Sequence, residues 1–524
     1  MSSSLLITRR GLLRRASAAA VLGCPSPGLH AQGWGGRDPF TLGVASGCPL
    51  PEGLVLWTRL APDPLAGGGV GEAPVEVEWE LADDELFTRI AARGRVMALA
   101  QDAHSVHVEL RGLEPARTYW YRFTARGERS AAGRTRTAPA IDAATPVRFA
   151  FASCQHYEQG FFSAYRDMAA QPLDLVVHLG DYVYDTSWGS RRVRRHEGAI
   201  PTQLAEFRNR YALYKSDRDL QAAHAACPWL VTWDDHEVAN DYTDDVSPRN
   251  PDPSQFLAIR AAAYRAWYEH MPVPASARPG GPNATIYARY RFGSMLDMFM
   301  LDGRQYKSRH VCLPGRSAST PVDCAARSDA SRSFLGAAQE AWLARQLALP
   351  QAQWTVLAQP TLMAEADRAP TPGHAYWMDG WDGYPAARER LLDQLVARRT
   401  PNPLVVSGDV HAFWAAELRR VPESPIVATE FTSGAITSEG PTPARVAQIQ
   451  ARNPHLRYGR SDRRGYGVMA VDTRGCEVEF RAVDDEKDAA SAVRSMKRFS
   501  VANGAPGVRM EAGLTSTAAR SSRP

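Results

Sequence analysis

Val147-Arg148-Phe149-Ala150-Phe151-Ala152-Ser153-Cys154-Gln155 decides the fold. Its first six residues read as a strand buried on both faces, and the run stops at a serine and a thiol. Downstream the pattern recurs. Leu173 to Leu179 is a second buried strand ending at Gly180-Asp181, and Trp229 to Trp233 a third ending at Asp234-Asp235-His236-Glu237. Further strands are expected at 286–292, 295–301 and Trp354 to Ala358, the last ending at Gln359-Pro360. Another, Leu404 to Ser407, ends at Gly408-Asp409-Val410-His411. Helical patterns near 202–215, 217–226, 254–270, 336–348 and 386–398 separate them. Strands alternating with helices specify a layered α/β domain, assigned to residues 147–485.

Open α/β sheets place ligands at the C-terminal ends of their strands. Five such ends carry Cys154, Asp181 with Tyr184, Asp234-Asp235-His236, Gln359, and Asp409 with His411. Singly, each is uninformative: a strand-end Asp is more often a helix cap, and a lone His a core residue. Together, in this order, they point to a site.

Upstream, residues 38–140 alternate with period two, as in Val75-Glu76-Val77-Glu78-Trp79-Glu80. Leu113-Glu114-Pro115 before Tyr119-Trp120-Tyr121-Arg122-Phe123 fits a tyrosine corner, so this part reads as an all-β Ig/fibronectin-like sandwich. A linker rich in Ala, Thr and Pro, from Thr137 to Pro146, follows it. Residues 486–524 read as a polar C-terminal tail, partly disordered, whose first half can pack on the domain.

Residues 1–31 resemble a twin-arginine export signal: Thr8-Arg9-Arg10-Gly11-Leu12-Leu13-Arg14 precedes an apolar stretch too short to span a bilayer. The expected partner during export is therefore the Tat translocase, with cleavage near Ala31 and a periplasmic or extracellular destination. Val21-Leu22-Gly23-Cys24 fits a lipoprotein site less well because of Leu22. The formal charge of +4 comes from four arginines of the signal, so the rest of the chain is neutral and carries no nucleic-acid-binding signature. No other segment is long and apolar enough to cross a membrane. Cys312 and Cys324 bracket a Ser/Pro/Gly-rich loop and can pair in an oxidising compartment.

Gly180-Asp181-x-x-Tyr184, Asp235-His236-Glu237 and Gly408-Asp409-x-His411 resemble the ordered motifs of calcineurin-like metallophosphoesterases, purple acid phosphatases among them. The resemblance narrows to PhoD-type alkaline phosphatases through the strings 149–155, 178–184, 231–237, 301–306 and 381–385. It implies a four-layer metallophosphoesterase sandwich, a β-sandwich flanked by helices, behind the Ig-like domain. Cys154 stands where the wider superfamily has Asp, and a thiolate with the Tyr184 phenolate suits a trivalent ion. The resemblance implies one Fe3+ held by Cys154, Asp181, Tyr184 and His411. Asp235, Gln359 and Asp409 match the second position, an oxygen set favouring Ca2+, with Asp181 bridging. Asp234, Asn240 and Asp241 add donors, some of them candidates for a second Ca2+; a solvated loop carboxylate is the equal reading of Asp241.

The implied activity is hydrolysis of phosphate monoesters, and of diesters, at an iron–calcium centre acting on small phosphate-ester substrates. His236 is the candidate general acid or phosphate ligand, against a purely supporting role. Arg260 is the candidate phosphate-neutralising guanidinium, against a surface salt bridge. A phosphodiesterase or phospholipase D-like hydrolase is the alternative within enzymes, and an inactive binding module the alternative outside them.

Overall fold

The computed structural model describes residues 33–313, 320–370 and 372–511. Residues 1–31, expected to be an export signal, and the end of the expected tail lie outside the described residues.

Two sheets pack face to face. Edge to edge, the ten-stranded sheet runs Ala505–Met510, Val493–Ala502, Gly475–Val483, Gly465–Val471, Val147–Ala152, Leu175–His178, Trp229–Val231, Val44–Leu50, Gly53–Arg59, Ser105–Arg111. The seven-stranded sheet runs Ala288–Phe292, Leu296–Met300, Trp354–Thr361, Pro403–Gly408, Ile426–Thr432, Phe413–Arg419, Leu456–Arg460. Side-chain alternation explains why their central strands are apolar throughout. Trp354, Val356, Leu404 and Val406 enter the core between the sheets, whereas Leu357 and Val405 enter a second core under the outer helices. Gly336–Leu347, Pro385–Ala397 and Pro443–Arg452 cover the seven-stranded sheet; Ser163–Ala170, Leu204–Lys215, Arg218–Ala226 and Pro253–His270 accompany the other. The architecture is the helix-flanked β-sandwich that the sequence implies.

The helices expected from periodicity form within one or two residues of their expected ends. Their starts follow capping chemistry: Asp217 accepts from Asp219 N and Leu220 N, and Asp252 from Ser254 N ahead of Pro253. The strand expected to reach Trp233 stops at Val231, because the Glu237 carboxylate takes the next loop's N–H groups. Helices Ser163–Ala170 and Pro443–Arg452 and the strands between 413 and 483 are additions to the sequence reading. Within the expected tail, Val493–Ala502 and Ala505–Met510 form a hairpin on Gly475–Val483, with Phe499 fully buried.

The N-terminal region shares its sandwich with the large sheet. Val44–Leu50 pairs in parallel with Trp229–Val231, so three N-terminal strands extend the ten-stranded sheet. Across a common core they face a smaller sheet of Ile90–Ala98, Val75–Ala82, Thr118–Ala125, Glu128–Arg129 and Gly133–Arg136. The tyrosine corner forms, with Glu114 N donating to the Tyr119 hydroxyl at 3.1 Å.

Candidate metal centre

The parallel strands of both sheets end at one edge of the sandwich, and the ladder continues past them. Cys154 N donates to Gly180 O (3.2 Å) and Gln155 N to Asp181 O (3.1 Å), locking the first two loops together. Glu237 holds the third: its buried carboxylate accepts from Asp181 N (3.1 Å), Tyr182 N (2.7 Å) and Asp234 N (2.9 Å). A bridge between Ser153 and Ala435 joins the two sheets here. Gly408 permits that approach, since a Cβ would lie 2.2 Å from Ser153 Oγ.

Five residues of this edge have strained backbone. Cys154, Asp181, Asp241, Asp409 and His411 all have φ between 50° and 63°, a left-handed conformation that non-glycine residues rarely adopt. The turns aim five polar side chains into one space.

Two groups of donors result. In the first, Cys154, Asp181 and His411 bring ligand atoms within 4.8 Å of one another. The Tyr184 hydroxyl joins them, 2.8 Å from Asp181 Oδ2 and 3.2 Å from His411 Nε2, and accepts from Ser438 Oγ at 2.7 Å. His411 donates Nδ1–H to Glu439 O (2.7 Å), which leaves Nε2 facing the group. Burial holds its pKa down to about 3, so the ring is neutral, as a ligand must be. Burial also pushes the Cys154 thiol, the Tyr184 phenol and the Asp181 carboxyl far up, and their mutual charges add to that. Such a set ionises when a cation sits among it.

The second group is acidic. Asp181, Asp234 and Asp409 converge within 4.8 Å, as do Asp235, Asp241 and Asp379. Asp234 Oδ2, Asp235 Oδ1, Asp379 Oδ2 and Asp409 Oδ2 are buried oxygens without a hydrogen-bond partner. Buried carboxylate oxygens demand partners, and a cation fits that demand. Part of the demand is met from within by Arg304, which bonds Asp234 and Asp379 (2.8 Å) and stands 3.7 Å from Asp235. Burial is the largest influence on Asp235 and opposes its ionisation, but the Arg304 guanidinium, His236 and the Asp241 N–H together keep this carboxyl below its ordinary value. Asp409 is instead pushed up to about 7 by burial. Lys307 (2.8 Å) and His310 (2.7 Å) also bind Asp379, so Asp379 serves the cations behind the site.

His236 lies between the groups. Its Nδ1 is 2.6 Å from Asp185 Oδ1, and its ring centroid is 4.1 Å from that of Tyr184. Burial disfavours its charge, yet Asp235, Asp181 and Asp185 raise its pKa well above the ordinary value. It opens onto a cleft of about 590 Å³ lined also by Trp188, Asn240, Arg249, Arg368, Trp377 and the metal-facing residues.

Two expectations are corrected. Arg260 does not face the cleft: its guanidinium donates to Pro282 O (2.9 Å), Asp244 O and Asn283 Oδ1 (3.1 Å), tying its helix to the loops beside it. Gln359 is saturated by protein, with Oε1 accepting from Trp381 Nε1 (3.0 Å) and Thr361 N (3.2 Å) and Nε2 bonded to Thr361 O. Sequence reasoning missed Asp185, Glu237, Arg304 and Arg368 as parts of the site. Asp185 directly follows the string 178–184, Glu237 ends the string 231–237 and Arg304 sits inside 301–306, all without an assigned role. Cys312 and Cys324 are joined by a disulfide.

Comparisons with known proteins agree with this geometry. Residues 149–480 match the model of the PhoD-like phosphatase family, and residues 27–139 that of the PhoD-like phosphatase N-terminal domain. The chain is 42% identical over 489 residues to alkaline phosphatase D of Bacillus subtilis (strain 168), covering 91% of this chain and 83% of the relative. A solved structure of PhoD superposes with a TM-score of 0.87 at 41% identity, over 92% of this chain and 93% of that one. A purple acid phosphatase from yellow lupin (Lupinus luteus) seeds shares the fold at a TM-score of 0.56 and 10% identity, covering 89% and 74% of the two chains. By its sequence along both regions and by its fold, the chain is a member of the PhoD-like phosphatase family.

Proposed function

We propose that this protein is an exported alkaline phosphatase that hydrolyses phosphate monoesters, and diesters more slowly, at an iron–calcium centre. The observation that carries the reading is the convergence of a thiol, a phenol, an imidazole and a carboxylate beside a second set of unpartnered carboxylate oxygens. Cys154, Asp181, Tyr184 and His411 would hold Fe3+, and Asp235 and Asp409, with Asp181 shared, would hold Ca2+. Asp234 and Asp241 are the nearby donors for a further Ca2+, Asp234 being tempered by Arg304. When bound, the ions supply Lewis-acid polarisation of the phosphoryl oxygens and a water acidic enough to attack.

The chain's own residues supply the rest. Asp185 holds His236 by Nδ1, so Nε2–H faces the cleft and can protonate the departing alkoxide. Burial disfavours the charged ring, and the carboxylates around it, Asp185 among them, favour holding that proton. Glu237 fixes the loops of Asp181 and Asp234 to each other, so the ligands are held at their spacing before anything binds. Residues 1–31 are assigned as the twin-arginine signal, 38–140 as the Ig-like domain, 147–485 as the catalytic domain and 486–524 as the tail, whose hairpin of Val493–Ala502 and Ala505–Met510 packs on that domain. The Cys312–Cys324 disulfide supports an oxidising destination.

Natively exported protein should contain iron and calcium, absorb visible light through thiolate- and phenolate-to-iron charge transfer, and turn over a nitrophenyl monoester faster than its bis-ester. Absence of both metals together with EDTA-insensitive activity would sink the site assignment. A faster bis-ester reaction would favour the phosphodiesterase reading.

A further inference from the structure

Two arginines line the cleft among the described residues. Arg249 is already committed, 3.1 Å from Asp185 Oδ2. Arg368 is different. Its side chain has no ion-pair partner and donates no hydrogen bond among the described residues, and its Nε is fully buried without an acceptor. The guanidinium carbon lies 4.9 Å from the centroid of the Trp377 ring. That indole packs closely over Gly380, where a Cβ would come within 2.9 Å of Trp377 Cε3. Arg368 is therefore a half-buried, oriented cation at the mouth of a cleft whose floor holds Asp181, Asp235 and Asp409. An unpaired guanidinium in such surroundings is costly unless an anion completes it, and its planar fork suits phosphate.

We propose that Arg368 receives the terminal oxygens of the ester phosphate, with Trp377 as its positioning residue, and that this contact favours monoesters over diesters. The inference rests on the phosphatase reading above. A monoester offers one more terminal oxygen and one more charge to the guanidinium than a diester does, since the second alkyl group takes that place in the diester.

In Arg368→Ala, the KM for a nitrophenyl monoester and the inhibition constant of inorganic phosphate are expected to rise about tenfold or more. The bis-nitrophenyl ester should be affected less, and iron content and visible absorbance should not change. Arg368→Lys, which keeps the charge and the fold but not the fork, should recover only part of the loss. Trp377→Ala should fall between Arg368→Ala and the wild type, with Trp377→Phe near the wild type. Values within twofold of wild type in both Arg368 variants would overturn the subsite, and equal losses for both esters would overturn the monoester preference. Calorimetric titration of metal-loaded protein with inorganic phosphate separates the two readings. Phosphate binding lost in Arg368→Ala, in a chain that turns over neither ester, would sink the phosphatase reading alone; unchanged phosphate binding would sink this one.

Discussion

The smaller N-terminal sheet and the metal centre are built on opposite terms. In the sheet, Val75, Val77, Trp79 and Leu81 point inward while Glu76 and Glu78 point out, and Arg122 pairs with Glu80 at 2.7 Å. Local preference, packing and pairing agree there. At the centre, Cys154, Asp181, Asp241, Asp409 and His411 occupy left-handed backbone, and four carboxylate oxygens are buried without partners. The difference teaches where stability comes from. Regular, paired strands hold these strained loops in place, and at the centre the strained residues are ones that carry donor atoms.

Substitutions can break that comparison. Asp181→Asn should lower kcat/KM by about 10³-fold or more, the scale seen when a preorganised charge is removed. It should leave the metal-free protein as stable as before or more so, because a buried carboxyl crowded by other carboxyls is replaced by a neutral amide of the same shape. Ester turnover and thermal melting in chelator check both halves; a large fall in melting temperature would contradict it. Phe123→Ala, in the sheet's core, should do the reverse. It should cost about 3–5 kcal/mol in denaturant titrations while the folded fraction keeps its metal content and turnover.

Asp185→Asn tests the support around His236. Burial disfavours the His236 charge, and Asp185 is among the carboxylates that restore it. Without that charge the His236 pKa falls, so the alkaline limb of the kcat profile should move to lower pH, with a loss of about ten- to a hundredfold at its old optimum. An unshifted limb would remove His236 as the acid. The smallest effect sharpens the comparison from outside the centre. Lys215 is buried, with its ammonium 4.2 Å from the Trp57 ring centroid, and burial lowers its pKa to about 7. The unfolded chain then binds more protons between pH about 7 and about 10.4, so stability should rise with pH across that window by up to about 1.4 kcal/mol per unit. Lys215→Met should flatten that slope, as pH-resolved denaturation would record.

Much of this was legible in the sequence. Strand-end Cys154, Asp181, Asp235, Asp409 and His411 lie at the common edge where they were expected, because a strand's direction fixes which end its loop occupies. The tyrosine corner was legible through its spacing. The late strands from Phe413 to Val483 were less so, since antiparallel half-exposed strands lack the continuous apolar runs of the central ones. The sharing of the N-terminal sandwich with the large sheet depends on the pairing of Val44–Leu50 with Trp229–Val231, a contact far apart in the chain.

The sequence by itself determined which donor atoms reach the edge of the sandwich and in what order. The tertiary structure alone decided which of them are free. Arg260 and Gln359 carry suitable atoms, yet Pro282, Asn283, Thr361 and Trp381 consume them. Arg304 reaches Asp234 from 70 residues away, whereas Arg368 meets an indole and no acceptor. Hydrogen-bond capacity is a property of a residue type, but whether it is spent depends on neighbours brought together only by folding.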